Sequence, residues 1–210
     1  MLANDRMEET TMQATVEKPK YLGLLNAISL AESEAGVYLE AWANATPDAD
    51  LARTLRFVAA RETSHGEVFC RRLAELGFDL RQKPDPKSPA RLARYANPKI
   101  SDLDKIGAER EESDPFGEIR SAMADGAFDP MTCNLMQWYI TEEQDSGRRL
   151  REVYDCVRQK GGDTMKASGR PQAGAINGQP TADAEAIMAC MTAGFAKLEK
   201  SLEKLARAVK

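Results

Sequence analysis

Glu62 and His65 stand one helical turn apart in the segment Arg61-Glu62-Thr63-Ser64-His65. A Glu-x-x-His pair places both side chains on one helix face, where they can reach the same metal ion. His65 is the single histidine of the chain. Eighty residues further on, Glu142 and Asp145 repeat the spacing, with an aspartate in the histidine position. Glu32 precedes Glu62 by 30 residues, and Glu112 precedes Glu142 by 30 residues. A single gapless offset thus carries Glu32-Ser33 onto Glu112-Ser113, Leu55 onto Leu135, Glu62 onto Glu142 and His65 onto Asp145.

These acids interrupt apolar patterns. The seam of the second helix reads Leu51, Leu55, Val58, Glu62, His65, Phe69, Leu73 (or Arg72) and Leu76, so Glu62 and His65 take positions that face the core. Helix A places Glu32 among Leu25, Ile28, Gly36 and Leu39. Helix C places Glu112 with Phe116, Ile119 and Met123. Helix D reads Met131, Leu135, Trp138, Glu142, Asp145. An ionised carboxylate in an apolar interior costs several kcal/mol unless something pairs with it.

The elements that would position the acids follow from the punctuation. Helix A spans about 21–45 and is broken by Thr46-Pro47-Asp48. Helix B, capped by Asp48 or Asp50, runs to Leu76 and stops at Gly77. Residues 78–98 contain Pro84, Pro86, Pro89 and Pro98, a long connection with one short helix near 89–95. Helix C is expected over roughly 101–125, kinked or broken at Pro115. Asp129-Pro130 starts helix D, which is expected to end at Gly161-Gly162. In each antiparallel hairpin the two glutamates lie fifteen residues from the turn, at one level. Two packed hairpins would bring four glutamates, His65 and Asp145 into one layer. Four carboxylates repel each other there unless cations join them, and two divalent ions would neutralise them.

The fold class expected is therefore all-α, a four-helix bundle with one long crossover. Residues 1–20 are a polar lead-in, 161–180 a flexible linker, and 181–210 an extra C-terminal amphipathic helix with Ile187, Met191, Phe195, Leu198, Leu202, Leu205 and Val209 in a 3-4 rhythm. Among 210 residues, 30% are charged and 6% aromatic, and the net charge of −4 makes no case for nucleic acid or for an anionic membrane. No apolar run reaches the roughly eighteen residues of a membrane span. The first twenty residues lack the apolar stretch of a secretory signal, so a cytoplasmic location is expected. Cys70, Cys133, Cys156 and Cys190 form no C-x-x-C pair and read as buried, reduced thiols. Trp42, Trp138 and Tyr38 read as core.

The chain resembles the rubrerythrin branch of the ferritin-like superfamily. Ala31-Glu32-Ser33-Glu34-Ala35 with Tyr38 resembles that family's first-helix motif, Arg61-Glu62-Thr63-Ser64-His65 its Glu-x-x-His helix, and Thr141-Glu142-Glu143-Gln144-Asp145 its fourth-helix segment. The resemblance covers about residues 21–158. It implies a pair of iron ions, manganese being the alternative, held by Glu32, Glu62, His65, Glu112, Glu142 and Asp145. It also implies reduction of peroxide or dioxygen, or oxidation of ferrous ion, and a homodimer. Two departures stand out. Asp145 replaces a histidine, which makes the site harder and more anionic. The paired C-x-x-C motifs of a rubredoxin domain are absent, so electrons would come from an external donor. Three alternatives stay open. Helix C could begin at Asp114-Pro115, making Glu118 the substitute ligand. The buried face of helix D could contain Tyr139, Ile140 and Gln144, leaving its acids solvated. The bundle could be a non-catalytic interaction protein with a degenerate site, or a store or carrier of metal.

Overall fold

A computed structural model describes residues 18–107 and 114–167, and the side chains of 162–167 are outside that description. The described residues form six helices and no strand: α1 (Leu22–Ala45), α2 (Ala49–Glu75), α3 (Ser88–Ala96), α4 (Asp102–Ile106), α5 (Gly117–Ala124) and α6 (Pro130–Ala167). The lead-in over 1–17, Glu112, Cys190, most of the linker and the C-terminal helix lie outside the described residues.

The α1–α2 hairpin is the backbone of the fold. Asp48 caps α2 by accepting from the Asp50 and Leu51 amides, each at 3.0 Å. Gly77, at φ +81°, ends it in the left-handed conformation that favours glycine. The two helices approach closely at two levels. A Cβ on Gly36 would lie 2.4 Å from Thr63 Oγ1 and 3.0 Å from the Ala59 carbonyl oxygen, and one on Gly66 would lie 2.3 Å from Ser33 Oγ and 3.0 Å from the Ser29 carbonyl oxygen. Each glycine sits four residues beyond an acid, Glu32 or Glu62. The tight packing therefore flanks those acids on either side and pins the helices in register.

The third long helix is α6. Its start is held by Asp129, whose carboxylate accepts from the Met131 and Thr132 amides at 3.0 and 3.2 Å and from Arg72 at 2.8 Å. The Thr132 hydroxyl and amide, Tyr21 and Arg72 hold the Asp129 carboxyl well below its usual range against the opposing effect of partial burial. α6 continues through Gly161-Gly162 to Ala167, beyond the expected end. Glycine weakens a helix by about 1 kcal/mol without forbidding it.

The helix expected over 101–125, kinked or broken at Pro115, is two short helices among the described residues. α4 stops at Gly107, at φ +72°. α5 begins only after Pro115, whose ring cannot sit in a helix interior. Three long helices, rather than four, thus define the described bundle.

Two apolar clusters fill it. One joins Leu24, Leu25, Ile28, Phe69, Phe116, Ile119, Met136, Tyr139 and Ile140. The other joins Tyr38, Leu39, Trp42, Leu51, Leu55, Val58, Tyr95, Leu150 and Val153. Trp42 and Tyr38 are core, whereas Trp138 is 37% exposed. Cys70 and Cys133 are half-buried, Cys156 is exposed, and all three are free thiols. No helix among the described residues is long and apolar enough to cross a membrane.

Candidate metal centre

Between the two apolar clusters lies a layer of buried polar groups. Glu32 from α1, Glu62 and His65 from α2, and Glu143 from α6 each offer a ligand atom, and these atoms all lie within 4.8 Å of one another. All four residues are buried, His65 completely. Glu32 and Glu62 meet because the hairpin pairs them at one level. His65 joins them one turn along α2.

The electrostatics of this group are unfavourable as it stands. Both Glu62 oxygens, both Glu143 oxygens, Glu32 Oε2 and His65 Nδ1 are buried without a hydrogen-bond partner. A buried polar atom left in that state costs about 1–3 kcal/mol, more when charged. Burial, followed by repulsion from Glu32 and Glu143, pushes the Glu62 carboxyl well above its ordinary value. Burial and the charge of Glu32 push Glu143 up to about 7 from an ordinary 4.5, against the opposing pull of His65. Burial alone would lower His65, but the Glu143 and Glu142 carboxylates raise it. One neutral donor serves the group: Tyr139 O–H donates to Glu32 Oε1 at 2.7 Å. Burial and the surrounding carboxylates raise the Tyr139 phenol well above its usual value, so it stays protonated as a donor.

These unpartnered oxygens and the imidazole nitrogen fit a cation. Three carboxylates and one imidazole are a hard, anionic donor set suited to iron, manganese or zinc. A metal ion would supply the counter-charge and satisfy the lone pairs together. The walls are apolar and aromatic: the Tyr139 ring meets His65, Phe69 and Phe116 edge-on, at centroid distances of 5.2, 5.1 and 6.0 Å.

Of the residues read from the sequence, the structure brings together Glu32, Glu62 and His65. It places the others elsewhere. Glu142 is partly exposed and touches His65 from outside, Oε2 lying 2.9 Å from Nε2. Asp145 is taken by three arginines, at 3.0 Å from Arg61, 2.5 Å from Arg148 and 2.7 Å from Arg149. Those guanidiniums hold its carboxyl far below the usual range. It has no path to the centre. Glu118, the substitute on helix C, is exposed on α5, and Glu112 falls outside the described residues.

The residue missed is Glu143. The expected seam of helix D was one position out of register. α6 buries Thr132, Met136, Tyr139, Ile140, Glu143, Ser146, Leu150, Val153 and Val157, while Met131 is 64% exposed. The sequence carried a signal for this. Extending the seam from Asp145 places Arg149, Glu152 and Cys156 inside, whereas extending it from Glu143 places Ser146, Leu150, Val153 and Val157 inside. The longer stripe decides the register. The alternative with Tyr139 and Ile140 buried is the observed one for those two residues, though Gln144 is exposed.

No family model matches the chain, and neither a curated protein nor a solved structure matches it.

Proposed function

We propose that this protein is a ferritin-like metalloprotein whose buried Glu32–Glu62–His65–Glu143 group holds iron or manganese for redox chemistry on peroxide, dioxygen or ferrous ion. The observation that carries the proposal is the convergence of five buried carboxylate oxygens and His65 Nδ1, none hydrogen-bonded, within one layer. None of these oxygens accepts a hydrogen bond from an Arg or Lys, and a bound cation would supply the missing counter-charge directly.

When bound, iron or manganese supplies one-electron redox chemistry. The chain's own residues do the rest. Glu62, free at both oxygens, would hold the metal, and Glu32 would offer Oε2 while Tyr139 donates to its Oε1. Phe69, Phe116 and Tyr139 keep bulk water from the layer. The four donors described here suffice for one ion. The resemblance to rubrerythrin-like proteins supports this reading, as does the spacing that brings Glu32 and Glu62 to one level of the α1–α2 hairpin. It also supports a homodimer and an external electron donor.

Metal analysis of the purified full chain, followed by anaerobic titration with Fe(II) and Mn(II), tests the proposal. One to two tightly bound equivalents in the wild type, and none in Glu62→Ala, are expected. A metal-free wild type that takes up neither ion overturns it. Stopped-flow mixing of the loaded protein with peroxide or dioxygen then separates turnover from storage or delivery. A second reading has its own support: Asp145 is neutralised by arginines, so among the described residues the second half of the chain contributes one inward acid where the first contributes two acids and an imidazole. On that reading the site is degenerate and the helices serve interaction.

A further inference from the structure

Resting on the metal reading above, we propose that Glu142 is a positioning residue for the centre: it fixes the tautomer of His65, so that Nδ1 is the ligand nitrogen. The two ring nitrogens face different neighbours. Nε2 is hydrogen-bonded to Glu142 Oε2 at 2.9 Å. Nδ1 lies 3.0 Å from Glu143 Oε1, yet the geometry there does not make a hydrogen bond, and Nδ1 is left without a partner. A carboxylate can only accept, so the Glu142 contact places the ring hydrogen on Nε2. The Nδ1 lone pair then points into the layer formed by Glu32, Glu62 and Glu143. A neutral imidazole whose far N–H is held by a carboxylate is the form that binds metal well.

Glu142 is itself held in place. Arg61 Nε lies 3.7 Å from Glu142 Oε2, and Arg61 Nη1 donates to the Glu142 carbonyl oxygen at 3.1 Å, to Asp145 Oδ2 at 3.0 Å and to Ser146 Oγ at 3.1 Å. Asp145 is thereby an anchor for the arginine that steadies Glu142. The Trp138 ring meets His65 edge-on at 5.0 Å and closes the remaining side of the imidazole. Consecutive acids on α6 thus divide the work: Glu143 faces inward as a ligand, and Glu142 grips the back of the histidine.

The chain has a single histidine, so ¹⁵N-histidine labelling of the full protein yields one pair of ring signals to assign. At a pH high enough to deprotonate the imidazolium, these signals in metal-free wild type should report the Nε2–H tautomer, and addition of Zn(II) as a diamagnetic probe should shift Nδ1. Glu142→Ala should populate the other tautomer and weaken Zn(II) binding roughly ten- to a hundredfold. Glu142→Gln, whose amide oxygen can still accept from Nε2, should keep the wild-type tautomer and most of the affinity. A merely structural role would move melting temperature without moving the tautomer. Retention of the Nε2–H form and of Zn(II) affinity in Glu142→Ala overturns the positioning role and leaves the metal reading intact. A wild type that binds neither Zn(II), Fe(II) nor Mn(II) overturns the metal reading, and with it the assignment of Nδ1 as ligand.

Discussion

Glu143 and Asp145 lie two residues apart on α6 and meet opposite fates. Glu143 points into a layer where its neighbours are carboxylates and its oxygens lack donors, and its carboxyl rises to about 7. Asp145 points out to Arg61, Arg148 and Arg149, and its carboxyl falls. The same chemical group is thus starved of counter-charge on one face of a helix and saturated on the other. Where a fold can satisfy its acids with its own side chains, as it does around Asp145, it does so. The inner layer is the place where it does not, and that contrast makes the inner layer the candidate functional site.

The largest effect expected is on metal content. Glu62→Ala removes two of the five free oxygens, and bound metal should drop to background by elemental analysis, whereas Asp145→Ala, which reaches the centre only through Arg61 and Glu142, should retain most of it. Equal losses in both variants would erase the distinction between the faces.

The second test is the pH dependence of the metal-free protein. Glu143 is protonated in both states below its ordinary 4.5. Between 4.5 and about 7 the unfolded chain releases this proton while the folded chain keeps it, so stability falls as pH rises through that window. The loss is complete above the folded value and amounts to about 3 kcal/mol from this group. Urea melts at several pH values should show the decline in the wild type and a shallower one in Glu143→Gln. Saturating metal should reverse its direction, because the ion binds the ionised form. A metal-free protein that grows steadily more stable across this window would contradict the inner layer's description.

A smaller effect is expected from Tyr139→Phe, which takes the one neutral donor from Glu32 Oε1. The metal-free protein should lose about 1–3 kcal/mol in chemical denaturation, and metal should restore much of it. The smallest belongs to the outer face: Asp145→Asn breaks exposed ion pairs and should change stability by less than about 1 kcal/mol. A larger loss, or one accompanied by weaker metal binding, would show that the Arg61 anchor matters more to the inner face than a surface cluster should.

Much of this arrangement was legible in the residues. On α1 and α2 the 3-4 pattern, the Thr46-Pro47-Asp48 turn and Gly77 each act locally, so the boundaries and the inward position of Glu32, Glu62 and His65 follow from short-range rules. The cap at Asp129-Pro130 is of the same kind. The register of α6 was harder. Glu142, Glu143 and Asp145 fall within one turn, and a window of that length fits two seams equally well. Segment 101–125 was harder still: the break at Pro115 was legible, but the stop at Gly107, which ends α4 after five residues, was not.

The sequence alone determined the all-helical character, the pairing of α1 with α2 and the level at which their acids meet, because these depend on periodicity and on turns a few residues long. The tertiary structure decided which acid of α6 turns inward, a choice that the short window around Glu142–Asp145 leaves open. That choice belongs to the whole length of the helix, since burying Leu150, Val153 and Val157 commits every residue before them to one face. The free energy of that long apolar stripe exceeds the cost of one misplaced carboxylate. Glu143 is therefore carried into the core, and Asp145 is left outside to its arginines.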